Sequence, residues 1–357
     1  MIKLSLCMIV KNEEKVLARC LKSVKPYADE IVIADTGSTD KTEEIARSYG
    51  ARVFDFAWRE DFAAARNFAF SKAEGDYLMW LDADDYISPE NGKQLAALKE
   101  RLALEPADMV MCAYDVAFDD QGAPTCTFFR ERIVKRAVGY LWEGRVHECI
   151  APRGKVIRSD FRVFHLGSRK EREARNLHIY QKWAMEEALS PRDLFYYGRE
   201  LYYNRLYTEA IAVLEEMLCG KGWYVNKIEA CKILSFCHSA QNKTDDALLD
   251  LFRSFLYGEP RASVLCAIAD LYKAQKRFPE AVLFYQSALS CRDHSAEGDF
   301  EEPRCRDLFP LLGLVCTYYA AGDKAKALQA HKKTEELFPS HPSVRFNREF
   351  FKKAGLS

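Results

Sequence analysis

Apolar residues in the first half of the chain fall in short continuous runs, separated by stretches with helical spacing. Lys3–Val10 is such a run and predicts a buried strand. Behind it Asn12 stands where it can cap a helix carrying Val16, Leu17, Cys20, Leu21 and Val24 on one face until Pro26. A second strand follows over Glu30–Asp35 and ends in Thr36-Gly37-Ser38-Thr39-Asp40, turn and capping residues that open a helix running to Tyr49 and Gly50. Arg52–Phe56 predicts a third strand, and Asp61 opens a helix with Phe68, Ala69 and Phe70. Strands alternating with helices at this spacing predict βαβ units and a parallel sheet.

The run Gly75-Asp76-Tyr77-Leu78-Met79-Trp80-Leu81 then leads into Asp82-Ala83-Asp84-Asp85. An apolar strand that ends in carboxylates is a strand whose C-terminal end opens into a crevice, where open α/β sheets bind ligands. Pro89–Leu104 predicts an amphipathic helix and Ala107–Phe118 a strand. A turn at Asp119-Asp120-Gln121-Gly122 leads to an alternating segment, Thr125–Val134, and beyond it lies Leu141-Trp142-Glu143-Gly144-Arg145-Val146-His147-Glu148.

From about Arg169 the period changes. Strand patterns stop, and Leu, Tyr, Ala and Phe recur at helical spacing. Ala210, Ala247, Ala281 and Ala327 mark equivalent helix starts. Small residues twelve positions earlier, at Gly198, Ser235 and Ala269, mark the preceding helices, and Tyr272 and Tyr318 share an aromatic position. The pattern resembles tetratricopeptide repeats of roughly 34 residues, with an insertion near Cys291–Arg306 and Val315 in place of a small residue in the fourth copy. Such repeats bury their apolar faces only by stacking, which makes a curved surface suited to a peptide or protein partner or to self-association; helices that merely buttress the first domain are the plainer reading. Tyr196, Tyr197, Tyr202 and Tyr203 read as packing residues. The division expected is residues 1–170 for the α/β domain and 171–357 for the all-α repeats.

With 357 residues and 48% hydrophobic content the chain can bury two cores. A formal net charge of -1 gives no global case for nucleic acid, although Arg130–Arg175 holds thirteen Lys/Arg against six Asp/Glu, a segment able to attract an anion or simply to face solvent. Twelve cysteines without C-x-x-C spacing indicate neither a zinc site nor a disulfide framework, and read as small core residues in a reducing compartment. The opening run is too short for a membrane span, so it reads as the first strand of a cytoplasmic protein, and no later run approaches a transmembrane length.

These features bring the candidate chemistry into view. Asp82 and Asp84, one residue apart beyond a strand, can hold a hard divalent cation that neutralises a diphosphate. Asp35 ends its strand where a carboxylate can reach a ribose or base edge, or else caps the turn together with Ser38 and Asp40. Arg66 stands near a helix start, placed for a phosphate, for orienting Asp82, or for a surface salt bridge.

Four motifs in order carry a resemblance: Ser5–Glu13, Ile33–Asp40, Asp61-Phe62 with Ala65-Arg66-Asn67, and Leu81–Asp85. Together they resemble the family-two glycosyltransferases of GT-A fold, a Rossmann-like nucleotide-sugar domain. The resemblance implies a UDP-sugar donor, with Asn12 at the end of the first strand and Asp35 at the nucleotide. The Arg66-Asn67 corner, Ala83, Arg132 and His147 then lie around the nucleotide sugar, and Asp82 and Asp84 hold Mn²⁺ or Mg²⁺ on the diphosphate. Arg132-Ile133-Val134-Lys135 followed by Trp142-x-Gly-x-Val-His-Glu is similar to a subgroup that includes S-glycosyltransferases of bacteriocin peptides and some envelope-glycan glucosyltransferases. In that subgroup a carboxylate here faces the acceptor.

Inverting transfer needs a base near the acceptor, and Glu148, with Glu143 as the second candidate, supplies one. His147 either orients that base, contacts the diphosphate or is a structural group of its strand. His165, in Phe164-His165-Leu166-Gly167, resembles the C-terminal histidine that completes the metal shell in many GT-A enzymes. The reading is an inverting, metal-dependent transferase acting on Cys, Ser or Thr of a peptide or protein, with an envelope saccharide as the nearest alternative. A nucleotidyltransferase would want a Gly-rich loop where the chain has Lys11-Asn12-Glu13-Glu14, an inactive repeat scaffold would have lost the carboxylates, and a membrane-embedded synthase would carry Q-x-x-R-W.

Overall fold

The computed structural model describes residues 2–118, 122, 124–167, 173–294 and 302–356. The chain divides into two compact units, Met1–Ala188 and Leu189–Ser357.

In the first unit, strands β1 (Leu4–Val10), β2 (Glu30–Asp35), β3 (Arg52–Asp55) and β4 (Tyr77–Trp80) run parallel in the order β3-β2-β1-β4. The helices between them, α1 (Leu17–Val24), α2 (Thr42–Ser48) and α3 (Phe62–Lys72), supply the crossovers that parallel pairing requires. The alternation therefore gives parallel pairing through β4 as expected, and after α4 (Pro89–Leu104) the sheet becomes mixed. Strand β6 (Met109–Phe118) turns back within a few residues into β7 (Pro124–Lys135), and a connection that short allows only antiparallel pairing. Strand β7 therefore runs against both β6 and β4. The turn expected at Asp119–Gly122 lies, apart from Gly122, outside the described residues. Strand β10 (Val156–His165) lies parallel to β6, and the two-residue β5 (Asp85–Tyr86) closes the edge antiparallel to β10. A separate hairpin joins β8 (Trp142–Glu143) to β9 (Cys149–Ile150).

Alternation along the strands sends side chains to two cores. Leu4, Leu6, Met8 and Met79 pack with Leu17, Leu21, Leu95 and Leu98 on one face, and Cys7, Val32, Leu78 and Trp80 with Ala65, Ala69, Phe70 and Trp142 on the other. Burial on both faces is why β1 reads as an unbroken apolar run. Gly75 stands where β4 begins against β1; a Cβ there would lie 2.5 Å from Ser5 Oγ and 2.9 Å from the Lys3 carbonyl. Helix α1 starts at Leu17 without a side-chain cap, so Asn12 does not have the capping role expected of it. Asp61 does cap α3, its Oδ1 accepting from the Ala64 N–H at 2.8 Å.

Helix α5 (Glu173–Glu186) belongs to the first unit. The spatial boundary at Ala188 therefore falls later than the change of sequence period at 170, because α5 packs onto the loop between β8 and β9.

The second unit is helical throughout its described residues. It is built from the pairs α6 (Pro191–Tyr203) with α7 (Tyr207–Cys219), α8 (Tyr224–Ala240) with α9 (Thr244–Arg253), α10 (Ala262–Ala274) with α11 (Phe278–Ala288), and α12 (Leu308–Ala320) with α13 (Lys324–Leu337), closed by α14 (Pro342–Lys353). Ala210, Ala247, Ala281 and Ala327 are fully buried at the equivalent place in the second helix of each pair. The fourth pair forms despite Val315, which packs with Ala327 and Phe351.

Candidate active site

The functional groups gather where β4 ends. Tyr77–Trp80 is buried throughout, and the chain then turns through Asp82–Asp84 before pairing Asp85 with His165 across β5 and β10. That register, His165 opposite Asp85, carries the histidine to the carboxylates. One ligand atom from each of Asp82, Asp84, Asp85 and His165 lies within 4.8 Å of the others. His165 Nδ1 is 3.3 Å from Asp84 Oδ1 and 3.1 Å from Asp85 Oδ1. Three carboxylates and an imidazole fit a hard divalent cation, the imidazole suiting Mn²⁺ better than Mg²⁺.

Asp85 and Tyr114 had no assigned role in the sequence. Asp85 is fully buried, accepts the Tyr114 hydroxyl proton at 2.8 Å and pairs with Arg132 Nη1 at 3.3 Å. Its signal was adjacency to the D-x-D; Tyr114, 29 residues on in the middle of β6, offered none. Arg132 is also fully buried, stacked on Trp80 with Cζ 3.6 Å from the ring centre and donating to the Trp80 carbonyl. It underlies the carboxylates as their counter-charge. Its Nε and Nη2 have no hydrogen-bond partner among the described residues.

Arg66, 7% exposed, packs against the corner made by the rings of Trp80 and Trp142, each centre 4.8 Å from Cζ. Its Nη2 donates to Asp82 Oδ1 at 2.7 Å and its Nε to Glu148 Oε1 at 2.6 Å. Burial would raise the Asp82 pKa, but the Arg66 charge and hydrogen bond, with smaller help from His165 and Arg132, hold it well below the usual carboxylate range. Asp82 keeps a side-chain exposure of 32%, so this pairing does not close it off. Burial alone would lower the His165 pKa; the hydrogen bond to Asp85 and the charges of Asp84, Asp85 and Asp82 raise it instead.

Asn67 has both polar ends engaged with the Trp142 backbone, Oδ1 accepting at 2.8 Å and Nδ2 donating at 3.0 Å, and so seats β8. Ala83 is buried beside the cluster. Glu148 sits in the β8–β9 loop with its carbonyl accepting from Arg130 at 3.1 Å, while Glu143 is exposed on β8. His147 is not in a strand: it lies in a bend at φ 53°, its ring stacked 6.4 Å from that of Tyr180 on α5. Tyr180 also donates to the Val146 carbonyl, and Arg145 pairs with Glu186 and Glu187 of the same segment. Helix α5 thus holds the loop that presents Glu148.

The first-strand corner is separate. Asp35 accepts from the Gly37 and Ser38 N–H groups at 3.0 and 2.8 Å and from Ser38 Oγ at 2.5 Å, so its carboxylate organises the turn. Asn12, at φ 56°, accepts from the Thr39 N–H at 2.7 Å and ties the end of β1 to that loop.

Residues 5–161, which span this sheet and site, match the family model described as Glycosyl transferase family 2. The chain is 28% identical over 224 residues to the SPbeta prophage-derived glycosyltransferase SunS of Bacillus subtilis, covering 59% of this chain and 52% of that one. It is 46% identical over 95 residues to a TPR repeat-containing protein of Synechococcus elongatus, 27% of this chain and 24% of that protein. The chain thus spans about half or less of these curated relatives. Staphylococcus aureus TarS aligns over 69% of this chain and 54% of its own, at 16% identity and a TM-score of 0.40. Among the described residues no helix is long and apolar enough to cross a membrane.

Proposed function

We propose that the protein is an inverting, metal-dependent glycosyltransferase that moves a sugar from a UDP-sugar to a peptide or protein side chain, at Cys, Ser or Thr. The observation that carries this reading is the gathering of Asp82, Asp84, Asp85 and His165 at the end of β4, inside the segment that matches the transferase family. These four residues would hold Mn²⁺ or Mg²⁺, which when bound offsets the charge of the departing diphosphate. Asp35 and Asn12 shape the corner that receives the nucleotide. Arg132 counters the charge of the buried carboxylates from below.

Glu148 is the base that removes the acceptor proton. Its Oε1 is held by Arg66 and its Oε2 makes no hydrogen bond among the described residues, which leaves an oxygen for that proton. Glu143, exposed and bound to no cation among the described residues, is the second candidate. The peptide acceptor is supported by the subgroup resemblance around Trp142–Glu148 and by the second unit. There Lys232, Ser235, Phe236, Asp270, Glu302 and Phe309 line a cavity of about 280 Å³ between α8, α10 and α12.

A screen of UDP-sugars with Mn²⁺, reading UDP release, tests the reading beside Asp82→Ala and Asp84→Ala. The unmutated protein is expected to release UDP from one donor and both variants to lose at least a hundredfold of that rate, the order of about 3 kcal/mol of transition-state stabilisation. No binding or hydrolysis of any UDP-sugar, or variants that behave like the parent, sinks the proposal. Transfer to a saccharide but not to peptides would move the acceptor to the envelope class.

A further inference from the structure

Among the described residues a single guanidinium touches both sides of the site. Arg66 reaches Asp82, the donor-side carboxylate, through Nη2 and Glu148, the acceptor-side carboxylate, through Nε. Its plane is held independently of either. Trp80 and Trp142, set edge to face with centres 5.1 Å apart, form a corner against which its Cζ sits 4.8 Å from each ring centre. Trp80 is pinned by its indole N–H donating to the Glu131 carbonyl at 2.6 Å, and Trp142 by the paired hydrogen bonds of Asn67. A guanidinium is a rigid planar fork, so fixing its plane fixes the positions of both carboxylates that it binds.

One positive charge is shared between two negative ones, and that sharing has a thermodynamic consequence. While Glu148 offsets Arg66, the guanidinium opposes a cation at Asp82 only weakly. If Glu148 loses its charge, Arg66 turns its attraction on Asp82 alone and competes with any cation that Asp82 would hold. By reciprocity, a cation that draws Asp82 away leaves Arg66 to bind Glu148 more tightly, and so to orient it.

We infer that Arg66 is a positioning residue that couples cation binding at Asp82 to the placement of Glu148, although Glu148 is not among the cation-holding groups. The inference rests on the proposed reading of the cluster as a cation site. The test is Mn²⁺ binding to the full chain, measured by calorimetry for the parent, Glu148→Gln, Arg66→Met, Arg66→Lys and the two double variants.

The parent is expected to bind Mn²⁺, and Glu148→Gln to weaken binding about five- to tenfold. In either Arg66 background the same change is expected to cost less than about twofold, because neither methionine nor a single ammonium head can bridge both carboxylates. If Arg66→Met fails to fold by circular dichroism, Arg66→Lys decides. Equal affinity of Glu148→Gln and the parent overturns the coupling, and so does a loss of the same size with and without Arg66, which would be a direct field effect. A parent that binds no Mn²⁺ overturns the reading of the cluster and the coupling with it.

Discussion

Asp82 is the residue on which the electrostatics of the site turn. It is partly exposed, yet Arg66 keeps its carboxyl charged at pH values where an unfolded chain would protonate it. The sign follows from the depressed pKa: its stabilising contribution is present above the ordinary value of 3.8 and is lost as pH falls from there toward the lowered folded value. Metal-free protein titrated with urea from pH 5 to pH 3 should therefore lose stability more steeply than Asp82→Asn. Parallel slopes for the two proteins would mean that the Arg66 pairing stabilises nothing.

Two elements owe their placement to single contacts that a helix or strand pattern does not announce. The pair β5 and β10 is one, because two residues of pairing decide whether His165 meets Asp84 and Asp85. The approach of α12 to α11 is the other. Gly313 lies against the ring of Tyr285, and a Cβ there would stand 2.4 Å from ring carbons. That ring is 2% exposed, with its hydroxyl tied to Asp270 at 2.5 Å and Lys273 at 2.8 Å, so it cannot give way. Gly313→Ala gains about 1 kcal/mol of helix propensity but overpacks a fixed ring at a cost of about 1–3 kcal/mol. A lowered urea midpoint is the expected result; a raised one would show that α12 can shift.

At the scale of the whole molecule, the proposal divides the work between two units, each with its own core. On that proposal donor chemistry belongs to the first unit and acceptor recognition to the second. Phe236 and Phe309, 40% and 44% exposed, line the cavity of the second unit and on that proposal are the aromatic anchors for the peptide. Removing such an anchor typically costs more than 1 kcal/mol of binding. Phe236→Ala with Phe309→Ala should accordingly raise the KM for a peptide acceptor about tenfold while leaving UDP release in its absence unchanged. A KM that does not move would assign acceptor binding elsewhere.

Sequence alone was enough wherever the physics is local. Glu30–Asp35 and Pro89–Leu104 lie where their patterns put them, because a run buried on both sides and an N-cap with proline behind it are local statements. The buried alanines of the helix pairs follow for the same reason, since a close helix contact excludes larger side chains. Asp82, Asp84 and His165 were legible as residues. Their meeting was not, because 80 residues separate Asp85 from His165 and only strand pairing joins them. Asn12 shows the opposite case: its residue type suggested a helix cap, and the fold gave its side chain to the backbone of a neighbouring loop instead. The reversal of β7, the tryptophan corner against which Arg66 packs and the membership of α5 in the first unit were likewise decided in three dimensions, where groups far apart in the chain find that each is the other's best partner.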